Sequence, residues 1–342
     1  MNKKTGLMIT LGPTLNSIEQ IKNAISIGVK GFRLHLGSRE RDNYQYFKNI
    51  RQAQKECQKT DVKVLLDFPA CRPRTTTHLS EMNFSIGESV IFKDSSDCQF
   101  YKDGTVFLDD LNKYVMYLRE GETLEFRGGK IIFSIVSIDI EERSIEAICI
   151  KCLSALKKSC VCTFRLSHIH YYPFSEYDFK LINKLVNNGL HPDFVALSFS
   201  SSVGQVRNFK KMIHRFWDKE NTKCFAKIEN NMGMNNIELI ANEIDGLFVA
   251  RSDLRRSYPC IYWWKIQNQI VTVSKQKNIL LCIGSEFLSS YSKNAIINRS
   301  EIIDLSYACT QKPDWIMLSG ETGNSKYPVE TINLSQKIIN NN

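Results

Sequence analysis

"CFAKIENNMGMNNIELIANEIDGLFVARSDL", residues 224–254, is the stretch on which the fold turns. Two short apolar runs, "CFAKIE" (224–229) and "GLFVAR" (246–251), bracket a segment with helical spacing, and each run ends in charged residues. Short continuous apolar runs suit strands buried on both faces, and an amphipathic stretch between them suits a crossover helix. The stretch therefore reads as strand, helix, strand, with polar side chains held at the strand ends.

Outward from this unit the same pattern recurs. The other apolar runs are "GLMITLG" (6–12), "KGFRLHL" (30–36), "VKVLLDF" (62–68), "DFVALSF" (193–199), "NILLCIG" (278–284) and "DWIMLSG" (314–320). Amphipathic stretches such as "SIEQIKNAISIG" (17–28) and "VGQVRNFKKMIHRFW" (203–217) separate most of them. Eight strands alternating with helices predict an α/β fold, a (β/α)8 TIM barrel. An open doubly wound sheet is the structural alternative, but the chain has no glycine-rich dinucleotide fingerprint.

One interval is too long for a single crossover. From about residue 76 to 162 the text changes to short alternating runs: "ESVIFKD" (88–94), "GTVFLDD" (104–110), "ETLEFRG" (122–128), "KIIFSIVSIDI" (130–140) and "SIEAICIK" (144–151). They predict a small all-β domain, residues 76–162, inserted after the third strand of a barrel made by residues 1–75 and 163–342. The prolines of "FPACRPRT" (68–75) mark one hinge. A domain at the catalytic end of a barrel could act as a lid that excludes water.

Composition bounds the partners. A chain of 342 residues, 43% hydrophobic and 24% charged, is long enough for a large core or two domains. No stretch approaches the roughly 18 apolar residues of a membrane helix. The N-terminal text lacks a signal peptide's apolar core, so a cytoplasmic location is the default expectation. Eleven cysteines without an export signal fit reduced thiols. Cys160 and Cys162, with His168 and His170 nearby, lack the usual C-x-x-C zinc spacing and read as a solvated connector. A net charge of +9 suits anionic ligands, yet no basic block or nucleic-acid motif stands out.

In barrel enzymes chemistry is built on the C-terminal strand ends. Those ends carry Arg33 and His35, Asp67 followed by Arg72 and Arg74, Lys227 and Glu229, Arg251 and Asp253, Ser285, and "SGET" (319–322). Glu229 and Asp253 offer hard oxygen ligands for Mg²⁺ or Mn²⁺. Lys227 beside them could stabilise charge on an enolate or a transferring phosphoryl group. Arg33 and Arg74 suit a phosphate. A solvated salt bridge is the plainer account of any one of these residues; their convergence on one face favours a metal-assisted enzyme acting on a small anion.

At these residues the sequence resembles pyruvate kinase. "AKIEN" (226–230), "VARSDL" (249–254), "MLSGETGNSKYPVE" (317–330), "LGPTLNSIEQI" (11–21) and "RLHLGS" (33–38) resemble that family's signatures, and "LLDFPACRPRT" (65–75) does so more weakly. The family's usual C-terminal domain is expected to be absent, because the text stops after "PVETINLSQKIINNN" (328–342). The resemblance implies that Lys227 stabilises the enolate and the phosphoryl transition state. It also implies that Glu229 and Asp253 hold the divalent metal and that Arg33 contacts the phosphoryl group. The backbone at Ser252 and Asp253 would bind the substrate carboxylate. Ser285, in "GSEFLSSY" (284–291), falls where the family's threonine assists proton transfer.

Other positions depart from the family. At its monovalent-cation site stand His35, Gly37, Asp67 and Phe68, three of them changed, and Arg72 occupies the position of a glutamate or lysine; no potassium requirement is expected. On the nucleotide side, Ser38 replaces a histidine, and Pro69, Ala70 and Cys71 replace a K-G-P segment, while Arg74 is retained. Ser252 and Arg255 stand at two glycine positions. Three readings stay open: phosphoryl transfer between phosphoenolpyruvate and ADP or another acceptor; nucleotide-independent enolate chemistry on a 2-oxo acid; and a non-catalytic metabolite-binding paralogue. The expected partner is a small anion, with nucleotide binding and homo-oligomerisation open, and with neither nucleic acid nor membrane.

Overall fold

The fold was obtained as a computed structural model, which describes residues 4–76, 80–97, 104–164 and 169–342. It divides into two compact units, Met1–Ala70 with Pro173–Asn342, and Cys71–Tyr172. The strands in chain order are β1 (Gly6–Thr10), β2 (Gly31–His35), β3 (Lys63–Phe68), β4 (Arg74–Thr75), β5 (Ser89–Asp94), β6 (Thr105–Asp109), β7 (Thr123–Phe126) and β8 (Ile131–Asp139). They continue as β9 (Ser144–Cys152), β10 (Cys162–Phe164), β11 (Phe194–Leu197), β12 (Lys223–Ile228), β13 (Gly246–Ala250), β14 (Leu280–Gly284) and β15 (Trp315–Leu318).

The first unit is a closed parallel barrel with strand order β1-β15-β14-β13-β12-β11-β3-β2, so the eight apolar runs of the sequence are its eight strands. The helices are α1 (Ile18–Ile27), α2 (Asn43–Glu56), α3 (Glu176–Asn187), α4 (Val203–Phe216), α5 (Asn231–Asn235) and α6 (Ile237–Ala241). Then come α7 (Arg251–Ser257), α8 (Trp263–Gln276), α9 (Tyr291–Asn294), α10 (Arg299–Thr310), α11 (Gly320–Gly323) and α12 (Pro328–Asn340).

Local chemistry sets the helix starts. Ser17 caps α1 in a reciprocal box with Gln20, and Ser175 does the same for α3 with Asp178. Met8, Leu65, Phe194, Phe225, Phe248, Cys282 and Met317 form one buried cluster drawn from seven barrel strands. None of the described helices is long and apolar enough to cross a membrane.

At the end of β1 the backbone of Gly12 runs so close to Gly323 that a Cβ would lie 2.2 Å from the Gly323 oxygen. Only glycine permits that approach. It holds the Ser319–Gly323 turn against β1, where Thr322 Oγ1 donates to the Thr10 carbonyl at 3.0 Å.

The second unit is a seven-stranded sheet, order β10-β7-β8-β9-β5-β6-β4, around the rings of Phe92, Phe126 and Phe133. The five predicted runs are β5 to β9. Its limits are wider than the expected 76–162. β4 pairs Arg74 with Asp109, so the chain has entered this sheet before residue 76. Beyond β10, Tyr171 still packs on Tyr114 and its hydroxyl accepts from the Phe164 amide at 2.8 Å. Prolines signal a bend, whereas pairing decides to which body a residue belongs. His168 lies outside the described residues; among the described residues no three His, Cys, Asp or Glu side chains converge as a cation site.

Candidate active site

Parallel strands bring their C-terminal ends to one rim, and register decides which side chains meet there. Thr10 lies beside Arg33 and His35 beside Asp67 across the β1–β2 and β2–β3 pairs. Arg33 Nε donates to Asp67 Oδ2 at 2.7 Å, and its Nη1 donates to Thr10 Oγ1 at 3.0 Å and Ser319 Oγ at 3.1 Å. From the far side of Asp67, Lys227 Nζ reaches the same carboxylate oxygen at 3.2 Å. Lys227 also donates to Ser198 Oγ at 2.8 Å and pairs with Glu229 Oε1 at 3.1 Å. Glu229 Oε2 accepts from the Phe199 amide at 2.6 Å. Asp67 is wholly buried, and Arg33, Lys227 and Glu229 are at most 5% exposed.

Two fixed cations thus alternate with two carboxylates in a site closed to bulk water. Burial alone would push the Asp67 carboxyl up; Lys227 and Arg33 outweigh it and hold the group well below the ordinary carboxylate range. Burial works against the Lys227 ammonium, yet Asp67 and Glu229 raise its pKa, so it stays charged at neutral pH. Burial and the adjacent Arg33 guanidinium hold His35 well below its usual value. Its ring is therefore neutral, and Nδ1, 3.1 Å from Arg33 Nη2, is assigned as the acceptor.

The ends of β13, β14 and β15 build a different surface. A cavity of about 340 Å³ is lined by Ser252, Ser285, Glu286, Ser289, Ser319, Glu321 and their neighbours. Glu321 Oε2 accepts from the Ser319 amide at 2.6 Å, while Oε1 is buried with no hydrogen-bond partner among the described residues. Burial raises the Glu321 pKa, and nearby Glu286 adds to the effect. α7 begins directly after β13 with no side-chain cap, which puts Ser252 and Asp253 in its first turn. Asp253 Oδ1 accepts from Arg256 Nη2 three residues on.

The match to known proteins follows the same ground. The family model described as pyruvate kinase, barrel domain, matches residues 2–332. The chain belongs to the pyruvate kinase family. The pyruvate kinase of Methanocaldococcus jannaschii is 26% identical over 99% of this chain and 69% of its own length, and that of Aeropyrum pernix 27% identical over 97% and 69%. For the Candida albicans enzyme the figures are 24%, 97% and 65%, so the chain spans about two thirds of its pyruvate kinase relatives. In fold it is similar to the crystal structure of a pyruvate kinase from Cryptosporidium parvum, with a TM-score of 0.83, 21% identity, and coverage of 99% of this chain and 69% of that one. At family level this associates the barrel with phosphoryl transfer that interconverts phosphoenolpyruvate and pyruvate.

Of the sequence-derived site residues, the barrel brings Arg33, Asp67, Lys227 and Glu229 into one bonded network, and Ser252 and Ser285 into one cavity. Arg72 and Arg74 fall in the second unit, where Arg72 Nη1 donates to Thr163 Oγ1 at 3.1 Å and Arg74 Nη1 to the Ser159 carbonyl at 3.3 Å. Thr10 and Ser198, at the ends of the first and fourth apolar runs, are not among the sequence-derived site residues because both are small neutral side chains among charged candidates. Carried through every strand, the strand-end rule finds both. Ser319 and Glu321 stood inside the quoted "SGET" without a role of their own. Glu229 and Asp253 carry the hard carboxylate oxygens that could hold Mg²⁺ or Mn²⁺; Glu229 is bonded through Oε1 to Lys227 and through Oε2 to the Phe199 amide, and Asp253 through Oδ1 to Arg256.

Proposed function

We propose that this chain is a pyruvate kinase-type phosphotransferase acting on phosphoenolpyruvate and pyruvate through an enolate, with ADP or another molecule as phosphoryl acceptor. The observation that carries the reading is the Lys227 ammonium, buried and fixed by Asp67, Ser198 and Glu229 at 2.8–3.2 Å. A cation already oriented in a dry site stabilises negative charge developing on a substrate oxygen without reorganising in the transition state. Arg33, steered by Asp67, Thr10 and Ser319, offers the planar fork that suits a phosphoryl group.

Glu229 and Asp253 would hold Mg²⁺ or Mn²⁺, which when bound supplies Lewis acidity toward the substrate's oxygens. The uncapped first turn of α7, at Ser252 and Asp253, leaves backbone amides for the substrate carboxylate. Ser285 would hold or pass the proton at the enol carbon. Its neighbourhood supports a relay, since Ser319 and the raised carboxyl of Glu321 line the same cavity. Asp67 already carries two fixed cations, which supports catalysis without potassium at that carboxylate.

The deciding experiment follows proton exchange at the pyruvate methyl group by NMR in D₂O with Mg²⁺, with and without ADP, ATP and phosphate. Exchange that depends on Mg²⁺ and vanishes in Glu229→Ala is expected. An unchanged methyl signal under every condition would sink the enolate reading and leave a binding protein. Release of pyruvate from phosphoenolpyruvate that requires ADP would fix the acceptor.

A further inference from the structure

One cation of the barrel rim takes no part in the proposed chemistry. Arg41 lies in the turn after β2, where its amide donates to the Ser38 carbonyl at 3.1 Å. Its Nη1 donates to the Leu11 carbonyl at 2.9 Å, and the Leu11 amide donates to the Arg33 carbonyl at 3.1 Å. Its Nη2 crosses to Asn324 Oδ1 at 3.4 Å, a long contact that lies open to solvent. Asn324 lines the rim cavity of about 340 Å³, and so does Ser319, which accepts from Arg33. The two guanidiniums therefore reach one cavity through walls at either end of α11.

The two arginines differ in what they have left to give. Arg33 is buried and spends Nε on Asp67, Nη1 on Thr10 and Ser319, and Nη2 on Asp67 and the His35 ring. Its fork is thus held by the protein. Arg41 is only partly buried and commits one N–H each from Nη1 and Nη2, both to neutral oxygens. A guanidinium has five such donors, so most of its capacity remains. Among the described residues no carboxylate pairs with it. Of its acidic chain neighbours, Asp42 caps α2 at the Gln45 amide and Glu40 is exposed. Burial and the Arg33 charge lower the Arg41 pKa, the sign of two like charges held close together.

Like charges this close are relieved by an anion that brings more than one charge. A carboxylate offers a single charge in one plane, whereas a phosphate group offers nearly two charges and three strong acceptor oxygens. We infer that Arg41 is a second phosphate-binding arginine of this rim, giving its uncommitted N–H groups to a phosphoryl group in the cavity. Arg33, locked by its partners, supplies charge beside it. A phosphate oxygen takes the place of Asn324 on Nη2, because that bond is the longer of the two and the one open to solvent. The inference rests on the phosphotransferase reading for its substrate, but the anion site stands on the arginines alone.

The test titrates the full chain, with Mg²⁺ present, against inorganic phosphate, phosphoenolpyruvate and pyruvate by calorimetry and phosphorus NMR. Arg41→Gln is expected to weaken phosphate and phosphoenolpyruvate about tenfold, the scale of one hydrogen bond to a charged group, and pyruvate less than about twofold. Arg41→Lys keeps the charge without the fork and should recover only part of the loss. Circular dichroism melts of each variant keep loss of the site distinct from loss of the fold. Phosphate that binds wild type and Arg41→Gln alike, or does not bind wild type, would overturn the assignment. An equal loss in Lys293→Gln, an exposed cation on the same cavity, would reduce Arg41 to diffuse attraction and overturn it too. A matching loss for pyruvate would give Arg41 to a carboxylate instead. Phosphate weakened in Arg41→Gln, with phosphoenolpyruvate bound by neither protein, would sustain the anion site and count against the phosphotransferase reading.

Discussion

The two halves of the barrel rim are built on opposite plans. On the β2, β3 and β12 side the charged strand-end groups are matched: Arg33, Asp67, Lys227 and Glu229 form one hydrogen-bonded chain with almost no water access. On the β13 to β15 side serines line an open cavity, Glu321 keeps one carboxylate oxygen unpartnered among the described residues, and Asp253 accepts from Arg256 of its own helix. The first half is a preformed electrostatic frame. The second is open, lined by serine hydroxyls and a carboxylate. A buried charge network is stable only when complete, whereas a surface meant for exchange must leave groups unsatisfied.

Breaking the frame should cost most. Asp67→Asn removes the carboxylate shared by two buried cations, and a loss of about 3–5 kcal/mol in urea unfolding is expected; a loss under about 1 kcal/mol would show that the network is not coupled. Lys227→Met should lower methyl proton exchange by about a hundredfold to a thousandfold, the usual effect of deleting a preorganised transition-state contact. Unaltered exchange would move the chemistry to the other half.

His35 sharpens the contrast through pH. Its folded pKa is depressed, so between that value and the unfolded value of about 6.5 the unfolded chain binds the extra proton. Stability from this residue is present above that range and falls as pH drops from 7 toward 5. His35→Gln should flatten the slope of unfolding free energy against pH by at most about 1.4 kcal/mol per unit. An unchanged slope would mean that the ring titrates normally.

On the open side the effects should be smaller. Arg256→Ala removes an ion-pair partner from Asp253, and Mn²⁺ should bind about two- to fivefold more tightly, the worth of one partly exposed ion pair. Replacing potassium with sodium or tetramethylammonium should leave turnover within about twofold; a strict potassium requirement would show that Arg33 and Lys227 do not supply the charge that Asp67 needs.

Much of this could be read along the chain. The eight barrel strands are continuous apolar runs because each is covered on both faces, and burial of that kind is written in consecutive residues. The residues at their ends follow from a fixed rule of parallel barrels, so Arg33, Asp67, Lys227 and Glu229 were legible one at a time. What linear text lacks is pairing. The two-residue strand β4, which draws Arg72 and Arg74 into the second unit, carries no periodicity to detect. The Arg256 contact to Asp253 depends on the turn of a seven-residue helix.

The sequence by itself therefore determined the barrel, the insertion after its third strand, and the family, since these rest on burial patterns and short motifs that are local in the chain. Only the tertiary structure decided that Arg33 and Lys227 share one oxygen of Asp67 and that Glu321 keeps an orphaned oxygen. Those facts join residues from 34 to 160 positions apart, or depend on which groups a closed barrel leaves without partners. Hydrogen bonding and desolvation act through space over a few ångströms, and no spacing in the sequence records that distance.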